Sequence, residues 1–308
     1  MLKQFDSLFD LMEAFPDEQS AIDHFTAIRW KNGAYCPYCG STKVYHFSDN
    51  RNHKCGDCRK RFSIKVGTIF GDTKIGLRKW FMAVWLITSH KKGIASTQLA
   101  KDIKVTQKTA WFMLHRLRHA ARTASFNRPL GGDGEPVEAD ETFVGGKERN
   151  KHASKRQNKG RGAVGKTPVM GVKERGGEVR LEKADALTGK AAKGMVRRNV
   201  TPGAVLITDE ARAYQGLDGE FNHYTVNHSI GEYVRHFYFH TNSIESAWAL
   251  LKRQIIGIHH WVSAKHLQRY LDEMMFRQNR REAEEGDRVN MLLDWATEKR
   301  LTYKDLIA

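Results

Sequence analysis

Four cysteines in two closely spaced pairs constrain this 308-residue chain more than any other feature. Cys36 and Cys39 form one pair, Cys55 and Cys58 form the other, and residues 40–54 separate them. This spacing is typical of two knuckles that together hold one tetrahedral zinc ion, whose four thiolate ligands leave no open position for chemistry. Alternating segments between and after the pairs therefore predict a zinc ribbon over residues 36–66. Two disulfide bonds are the alternative, which a reducing compartment disfavours.

The positive charge of the chain is concentrated in one region. Residues 1–35 carry three basic and six acidic side chains, whereas residues 36–130 carry nineteen basic and four acidic ones, out of a net charge of +16 for the whole chain. So dense a charge predicts a polyanionic partner, and double-stranded DNA is the obvious source of phosphates. A basic surface that only water solvates is the alternative.

Two short amphipathic segments within this region predict a helix-turn-helix. The first begins at Ser96, whose hydroxyl we expect to cap the helix, and the second covers residues 107–120. The N-terminus of the second helix would face a major groove, and arginines further along would contact phosphates. The predicted DNA contacts are Gln107, Lys108, Arg116, Arg118 and Arg122.

A strand-like stretch, Val137–Gly146, carries three acids where a strand ordinarily has few. A half-buried strand desolvates its side chains, so a bound cation would compensate these charges, and Asp140 is the first candidate ligand. Because side chains alternate along a strand, Glu138 shares the face of Asp140 and can support it, whereas Glu141 points to the other face. An edge strand whose acids face water is the alternative.

The order of elements after Pro136 predicts an α/β domain with an RNase H-like mixed sheet. Three strands come first, then a helix, a strand, a short helix, another strand and a series of helices. In this arrangement the first and fourth strands are adjacent and parallel, so Asp140 and Asp209 would lie side by side. Glu245, in the first turn of the next helix, supplies a third acid, although an acid there can also serve only the helix dipole.

Three clustered carboxylates predict a site for two Mg²⁺ or Mn²⁺ ions that catalyses displacement at a phosphodiester. Next to the acidic strand, residues 147–166 contain eight basic side chains and one acid, which predicts a mobile basic loop that either is solvated or holds a DNA backbone. The longest apolar run is too short to span a bilayer and the N-terminus lacks a secretion signal, so we expect a cytoplasmic protein without a membrane partner.

Taken together, these motifs resemble bacterial insertion-sequence transposases of the DDE class, specifically the ISXO-like group with an N-terminal zinc ribbon. The resemblance covers nearly the whole chain and is most specific in His240-Thr-Asn-Ser-Ile-Glu-Ser-Ala-Trp-Ala-Leu-Leu-Lys-Arg, with Thr208-Asp-Glu before it. It implies a metal-dependent transposase that binds terminal inverted repeats, nicks 3′ ends and joins them to target DNA. It also implies a nucleoid-associated protein that acts as a homodimer or larger assembly.

The resemblance assigns roles to individual residues. The catalytic carboxylates would be Asp140, Asp209 and Glu245, with Glu210 as the alternative for the middle acid. Asn242 would orient the site, and Lys252 and Arg253 would contact the DNA backbone.

The implied domains are an N-terminal helical segment (1–35), the zinc ribbon (36–66), the helix-turn-helix region (67–128), the RNase H-like DDE catalytic domain (129–284) and a C-terminal helix (285–308). Two other functions compete with the transposase. A structure-selective RNase H-like nuclease would cut without joining, and a zinc-ribbon regulator would only bind DNA. Three separated acids disfavour the regulator, and a separate DNA-reading region disfavours the nuclease.

Overall fold

The structure, a computed structural model, describes residues 2–122, 128–146, 148–156, 163–226 and 238–308, with the side chain of residue 149 left out. The chain divides into two compact units, one formed by residues 1–122 together with 280–308 and the other by residues 123–279. The C-terminal segment, which the sequence suggested as a separate element from 285 onward, is thus part of the N-terminal unit. In the described ranges, no helix is both long enough and apolar enough to cross a membrane.

The helices and strands follow the periodicity of the sequence. The helices are α1 (Leu8–Ala14), α2 (Glu18–Arg29), α3 (Leu77–Ser89), α4 (Ser96–Asp102), α5 (Gln107–Ala121), α6 (Gly189–Asn199), α7 (Asn242–Gln254), α8 (Leu267–Asn279), α9 (Glu285–Trp295) and α10 (Tyr303–Ile307). The strands are β1 (Val44–His46), β2 (Asn52–Cys55), β3 (Arg61–Ser63), β4 (Val137–Val144), β5 (Thr167–Glu174), β6 (Val179–Lys183), β7 (Val205–Asp209) and β8 (Asn222–Val226).

The helices of the N-terminal unit pack around aromatic side chains, and a side chain of α2 caps the start of α3. Phe15, Phe25 and Phe81 are fully buried. The carboxylate of Glu18, in the first turn of α2, accepts hydrogen bonds from the first two backbone amides of α3, at 2.7 and 3.1 Å. Helix α9 packs against α2, α3 and α5. Amides at a helix start have no partner within the helix, so this contact stabilises α3 where its own N-cap, Gly76, has no side chain to do so.

The predicted helix-turn-helix is present as α4 and α5, which the short turn 103–106 connects. Thr106 caps α5 through its hydroxyl, which accepts a hydrogen bond from the amide of Thr109. The expected cap at Ser96 is wrong, because Ala95 occupies the cap position of α4 and Ser96 is already its first helical residue. The Ser96 hydroxyl instead accepts a hydrogen bond from Gln107 at 2.9 Å, which ties the two helices together.

The second unit is built on a five-stranded mixed sheet in the order β6-β5-β4-β7-β8. Strands β4, β5 and β6 are antiparallel, and β4, β7 and β8 are parallel. This order confirms the predicted RNase H-like arrangement, with the acidic strand β4 at the centre of the sheet. Strand β4 is therefore not an edge strand, and an apolar core covers each of its faces.

The two faces of the sheet bury different helices. Val137 and Ala139 of β4 belong to the apolar core that contains α6, whereas Val144 belongs to the core that contains α7 and α8. Residues of β4 at even positions therefore face α7, and the alternation predicted from the sequence is confirmed. Of the predicted basic loop 147–166, Lys147 and residues 157–162 lie outside the described residues.

Candidate active site

Two acids lie at the ends of neighbouring parallel strands. In the pairing of β4 with β7, Ala139 is the partner of Thr208, and the next residues along the two strands are Asp140 and Asp209. Residues at matched positions on adjacent strands project to the same face, so these two carboxyl groups leave the sheet as neighbours. The predicted adjacency of the first and fourth strands is confirmed.

Asp209 ends its strand in a defined position. Its Oδ1 accepts a hydrogen bond from the backbone amide of Ala211 at 3.0 Å, which holds the carboxyl group at the turn that leaves β7. Its negative charge is one of the causes that raise the pKa of Asp140, whereas the next acid, Glu210, is exposed beyond the strand. The geometry therefore favours Asp209 over Glu210 as the neighbour of Asp140.

Asp140 lies in a half-buried position that disfavours its charged form. Its pKa is raised to about 6, mainly by burial and also by the charges of Asp209 and Glu245, although hydrogen bonds from the Glu141 amide and the Trp248 indole oppose the shift. The indole Nε1–H of Trp248 donates to Oδ2 of Asp140 at 2.8 Å. Asp140 thus feels the charge of both other acids, and a carboxyl group perturbed in this way is typical of functional sites.

Glu245 projects from the first turn of α7, which begins at Asn242. Its side chain is exposed, and the Thr241 hydroxyl donates to its Oε1 at 3.3 Å. Asn242 is exposed at the first helical position, three residues before Glu245. The positive end of the helix dipole favours an acidic side chain in this turn.

Glu138 fastens the start of α7 to strand β4. The residue is fully buried, and its Oε2 accepts a hydrogen bond from the backbone amide of Ile244 at 2.9 Å. Its other oxygen accepts hydrogen bonds from the Arg175 guanidinium at 3.0 and 3.3 Å, and His240 Nδ1 lies 3.5 Å away. A buried carboxylate needs such partners, and here they fix the helix that carries Glu245 beside the strand that carries Asp140.

Glu141 occupies the opposite face of β4, as the alternation predicts. Its Oε2 accepts a hydrogen bond from the Tyr214 hydroxyl at 3.0 Å. The pKa of Glu141 is raised to about 7, mainly by burial and then by the charge of Asp209, although the hydrogen bond from Tyr214 opposes the shift. Glu141 is therefore a second carboxyl group whose environment disfavours its charge next to the acidic cluster.

The donor chemistry of Asp140, Asp209 and Glu245 fits a hard divalent cation. Carboxylate oxygens are the ligands that Mg²⁺ and Mn²⁺ prefer. Over the described ranges, the four cysteines are the one group of three or more potential metal ligands whose donor atoms all lie within 4.8 Å of one another. The oxygens of Asp140, Asp209 and Glu245 are therefore not all within that distance of one another. Each of the three accepts a hydrogen bond of its own, from Trp248, Ala211 or Thr241.

The four cysteine sulfurs fit a zinc ion closely. The Sγ atoms of Cys36 and Cys58 are 3.7 Å apart and those of Cys39 and Cys55 are 3.6 Å apart, and all four thiols are free. Zinc–sulfur bonds of about 2.3 Å in a tetrahedron place the sulfurs about 3.8 Å apart. The backbone amides of Tyr38 and Cys58 point at Cys36 and Cys55, which stabilises thiolates. The four donor atoms all lie within 4.8 Å of one another, so the predicted zinc ribbon is confirmed.

The structure separates the predicted DNA contacts into two groups. Gln107, Lys108 and Arg122 are exposed in the helix-turn-helix, and Lys252 and Arg253 are exposed on α7. Arg116 and Arg118 are buried, so the prediction that they contact phosphates is wrong. The Arg116 guanidinium donates to the backbone carbonyls of Ile69, Gly71 and Leu301, because α5 turns this part of its surface into the unit's core.

Two residues of the site were not found from the sequence. Trp248 was not among the candidate residues, yet it is buried and contacts Asp140. Arg175 was not a candidate either, yet it holds Glu138. The spacing of Trp248 three residues after Glu245 is the one sequence signal that could have identified it, since such residues neighbour each other on a helix.

Comparisons with known proteins identify two transposase family models in this chain. A family model described as ISXO2-like transposase domain matches residues 129–279, and one described as transposase zinc-ribbon domain matches residues 16–61. A protein of Halobacterium salinarum, described as an uncharacterized protein in transposable element ISH50, is 33% identical over 281 residues, which cover 86% of this chain and 92% of that protein.

Two further similarities are more limited. An uncharacterized transposase-like protein of Haemophilus influenzae is 33% identical over 89 residues, which cover 29% of this chain and 70% of that protein. Among solved structures, the Mos1 strand transfer complex has a TM-score of 0.28 and 12% identity, covering 70% of this chain and 75% of that chain. A TM-score that low carries no weight for fold or function.

Proposed function

Because this chain belongs to the ISXO2-like transposase family, we propose that it binds the inverted-repeat ends of an insertion sequence, nicks their 3′ ends and transfers them into target DNA. The observation that carries the proposal is the placement of Asp140 and Asp209 at matched ends of two adjacent parallel strands, next to the helix whose first turn carries Glu245. Glu138 fastens the start of that helix to β4.

In this proposal, Asp140, Asp209 and Glu245 hold two divalent ions, Mg²⁺ or Mn²⁺. When bound, such a pair activates the attacking water or 3′-hydroxyl and stabilises the leaving oxygen of an in-line displacement. Asp140 and Asp209 present neighbouring carboxylates on fixed strands, and Glu138 keeps the start of α7 in place so that Glu245 stays beside them. Asn242, one turn ahead of Glu245, orients the site.

Double-stranded DNA is the proposed partner of two surfaces. Gln107 and Lys108 are exposed at the N-terminus of α5, the end that a helix-turn-helix presents to a major groove, and Arg122 is exposed at its other end. On α7, Lys252 follows Glu245 by two helical turns, so its ammonium group lies along the face that carries the acid. Arg253 is exposed next to it, and both are suited to contact the DNA backbone beside the reacting phosphate.

We further propose that the protein acts on DNA as a homodimer or larger assembly, because two transposon ends must be processed together. The structural zinc ion belongs to the ribbon and takes no part in the reaction, since four thiolates complete its coordination.

Substitution of the acids tests this function. Asp140→Asn, Asp209→Asn and Glu245→Gln are each expected to lower Mg²⁺-dependent nicking of a labelled inverted-repeat duplex on the order of a thousandfold or more. Binding of the same duplex should be unchanged or slightly tighter, because a negative charge is removed. Glu210→Gln, which alters the exposed acid next to Asp209, is the matched control and should nick normally. Nicking by the Asp140→Asn and Glu245→Gln proteins at the normal rate would refute the proposed site.

A further inference from the structure

We propose that Trp248 and Gly171 form a positioning device for Asp140, in which the indole N–H holds one carboxylate oxygen and the glycine makes room for the ring. This inference rests on the proposed function, since it assigns Asp140 to a divalent cation. It adds two residues to the site that touch neither DNA nor metal in the proposed mechanism. Their role is to fix the orientation of the Asp140 carboxylate relative to the cation.

The hydrogen bond commits one oxygen of Asp140. Trp248 Nε1 lies 2.8 Å from Oδ2, and the Trp248 side chain is 4% exposed. An indole has one donor and no acceptor, and a buried donor that loses its partner is unfavourable. The indole therefore holds Oδ2 in one orientation, and Oδ1 is the oxygen that Asp140 can turn toward a cation.

Gly171 is needed for the ring to occupy this position. It lies directly across from Asp140 on strand β5. A Cβ atom at Gly171 would come within 2.6 Å of Cη2 and 2.8 Å of Cζ2 of Trp248, and within 2.8 Å of a methyl group of Leu181. Separations under 3.0 Å force a neighbour to move, and the ring is packed between helix and sheet. The absence of a side chain at Gly171 thus sets the distance between α7 and the centre of the sheet.

The device also couples two of the catalytic acids. Trp248 follows Glu245 by three residues. The turn of α7 that carries Glu245 therefore also holds Asp140, through the indole of Trp248. At the start of the helix, Glu138 accepts a hydrogen bond from the amide of Ile244. Strand β4 is therefore attached to α7 at two points, through Glu138 and through Asp140. The second of these residues is itself a proposed metal ligand. Displacement of the Trp248 ring would change the geometry of Asp140 without changing its chemistry.

Trp248→Phe in the full-length protein tests this role, because phenylalanine keeps an aromatic ring and lacks the N–H donor. We expect Mn²⁺, titrated by electron paramagnetic resonance with zinc left in the ribbon, to bind about tenfold more weakly or worse, as is typical when a partner of a metal ligand is removed. The Mg²⁺ concentration that gives half-maximal nicking should rise in parallel.

Trp80→Phe is the matched control. Trp80 is also buried, at 1% exposed, and its indole nitrogen has no hydrogen-bond partner in the described part of the N-terminal unit. The control therefore creates a comparable cavity without removing a hydrogen bond, and it should leave Mn²⁺ affinity unchanged. Equal Mn²⁺ affinity of the Trp248→Phe and wild-type proteins, or equal losses in the Trp248→Phe and Trp80→Phe proteins, would overturn the inference.

Gly171→Ala provides a second, independent variant if Trp248→Phe fails to fold. Its Cβ displaces the ring from Asp140, so Mn²⁺ affinity should fall by a similar factor. The double variant should lose less than the product of the two single losses, because phenylalanine lacks the ring atoms that the new Cβ meets. Strictly multiplicative losses would show that the two residues act separately and would overturn the inference.

Asp140→Asn separates failure of this inference from failure of the proposed function. If Asp140→Asn leaves Mn²⁺ binding unchanged, the acidic cluster does not hold the metal and the proposed function fails together with the inference. If Asp140→Asn abolishes binding while Trp248→Phe and Gly171→Ala have no effect, the catalytic site stands and the positioning role alone is refuted.

Discussion

Glu141 makes the stability of the folded protein depend on pH. Its pKa of about 7 lies above its ordinary value of 4.5, mainly because of burial and then because of the charge of Asp209. A carboxyl group with a raised pKa binds more protons in the folded protein than in the unfolded chain between these two values. The free energy of unfolding therefore decreases as the pH rises from about 4.5 to about 7.

Glu141→Gln should remove this contribution and still accept the hydrogen bond from Tyr214. We expect the variant to be more stable than the wild type by about 1–2 kcal/mol at pH 8, a figure reduced from the full shift because the side chain is partly exposed. At pH 4.5 the two proteins should be equally stable. Urea unfolding at both pH values, without divalent cations other than the ribbon zinc, measures the difference. A constant difference at both pH values would contradict the assignment.

Arg116 illustrates how a basic residue in a DNA-binding region can serve the fold. Three backbone carbonyls accept its hydrogen bonds at 2.7–3.1 Å, and its side chain is 5% exposed. Arg116→Gln should therefore lower the free energy of unfolding by about 2–4 kcal/mol, because the carbonyls lose a charged donor. Thermal unfolding measures this effect.

Lys108→Gln is the contrasting variant, since Lys108 is exposed at the start of α5. We expect it to keep normal stability and to weaken binding of the inverted-repeat duplex, with a shallower dependence of affinity on salt. Normal stability of the Arg116→Gln protein would contradict the structural role assigned here.

At the level of secondary-structure elements, the sequence predicted the features that depend on the order and periodicity of its residues. The parallel pairing of β4 with β7 followed from the order of strands and helices. The side of α7 that is buried was harder to predict. Trp248 is buried there because Gly171, on a distant strand, leaves a space for its ring. Such a space is created by the tertiary fold and has no local signature.

The zinc ribbon is the element whose stability depends most on a ligand. Its three strands contain three or four residues each, and the buried side chains around them are mainly Cys36, Cys55 and Phe62. A core this small cannot hold the ribbon without its metal. We predict one zinc ion per chain, and loss of that ion in Cys36→Ser together with reduced affinity for DNA. Elemental analysis of the purified protein measures the metal. Native disulfide bonds, detected by thiol titration, would contradict the prediction.

At the scale of the whole molecule, the two ends of the chain belong to the same compact unit. Residues 280–308 complete the N-terminal unit, where His24 Nε2 and Asn290 Oδ1 are 2.8 Å apart in the interior and Lys31 pairs with Asp294. The sequence predicted helix α9 but assigned it to no partner, because an association across more than 260 residues leaves no trace in local periodicity. The RNase H-like unit is thus an insertion between two segments that fold together.

Strand transfer is the reaction that distinguishes the proposed transposase from a nuclease with the same acids. The direct measurement uses a labelled inverted-repeat duplex with a free 3′-hydroxyl, a supercoiled target plasmid and Mg²⁺ or Mn²⁺. The wild-type and Glu210→Gln proteins should produce label covalently joined to the plasmid, and the Asp209→Asn protein should produce none. Cleavage without any joined product would identify a nuclease, and joining by Asp209→Asn would show that the chemistry does not depend on the acids of β4, β7 and α7.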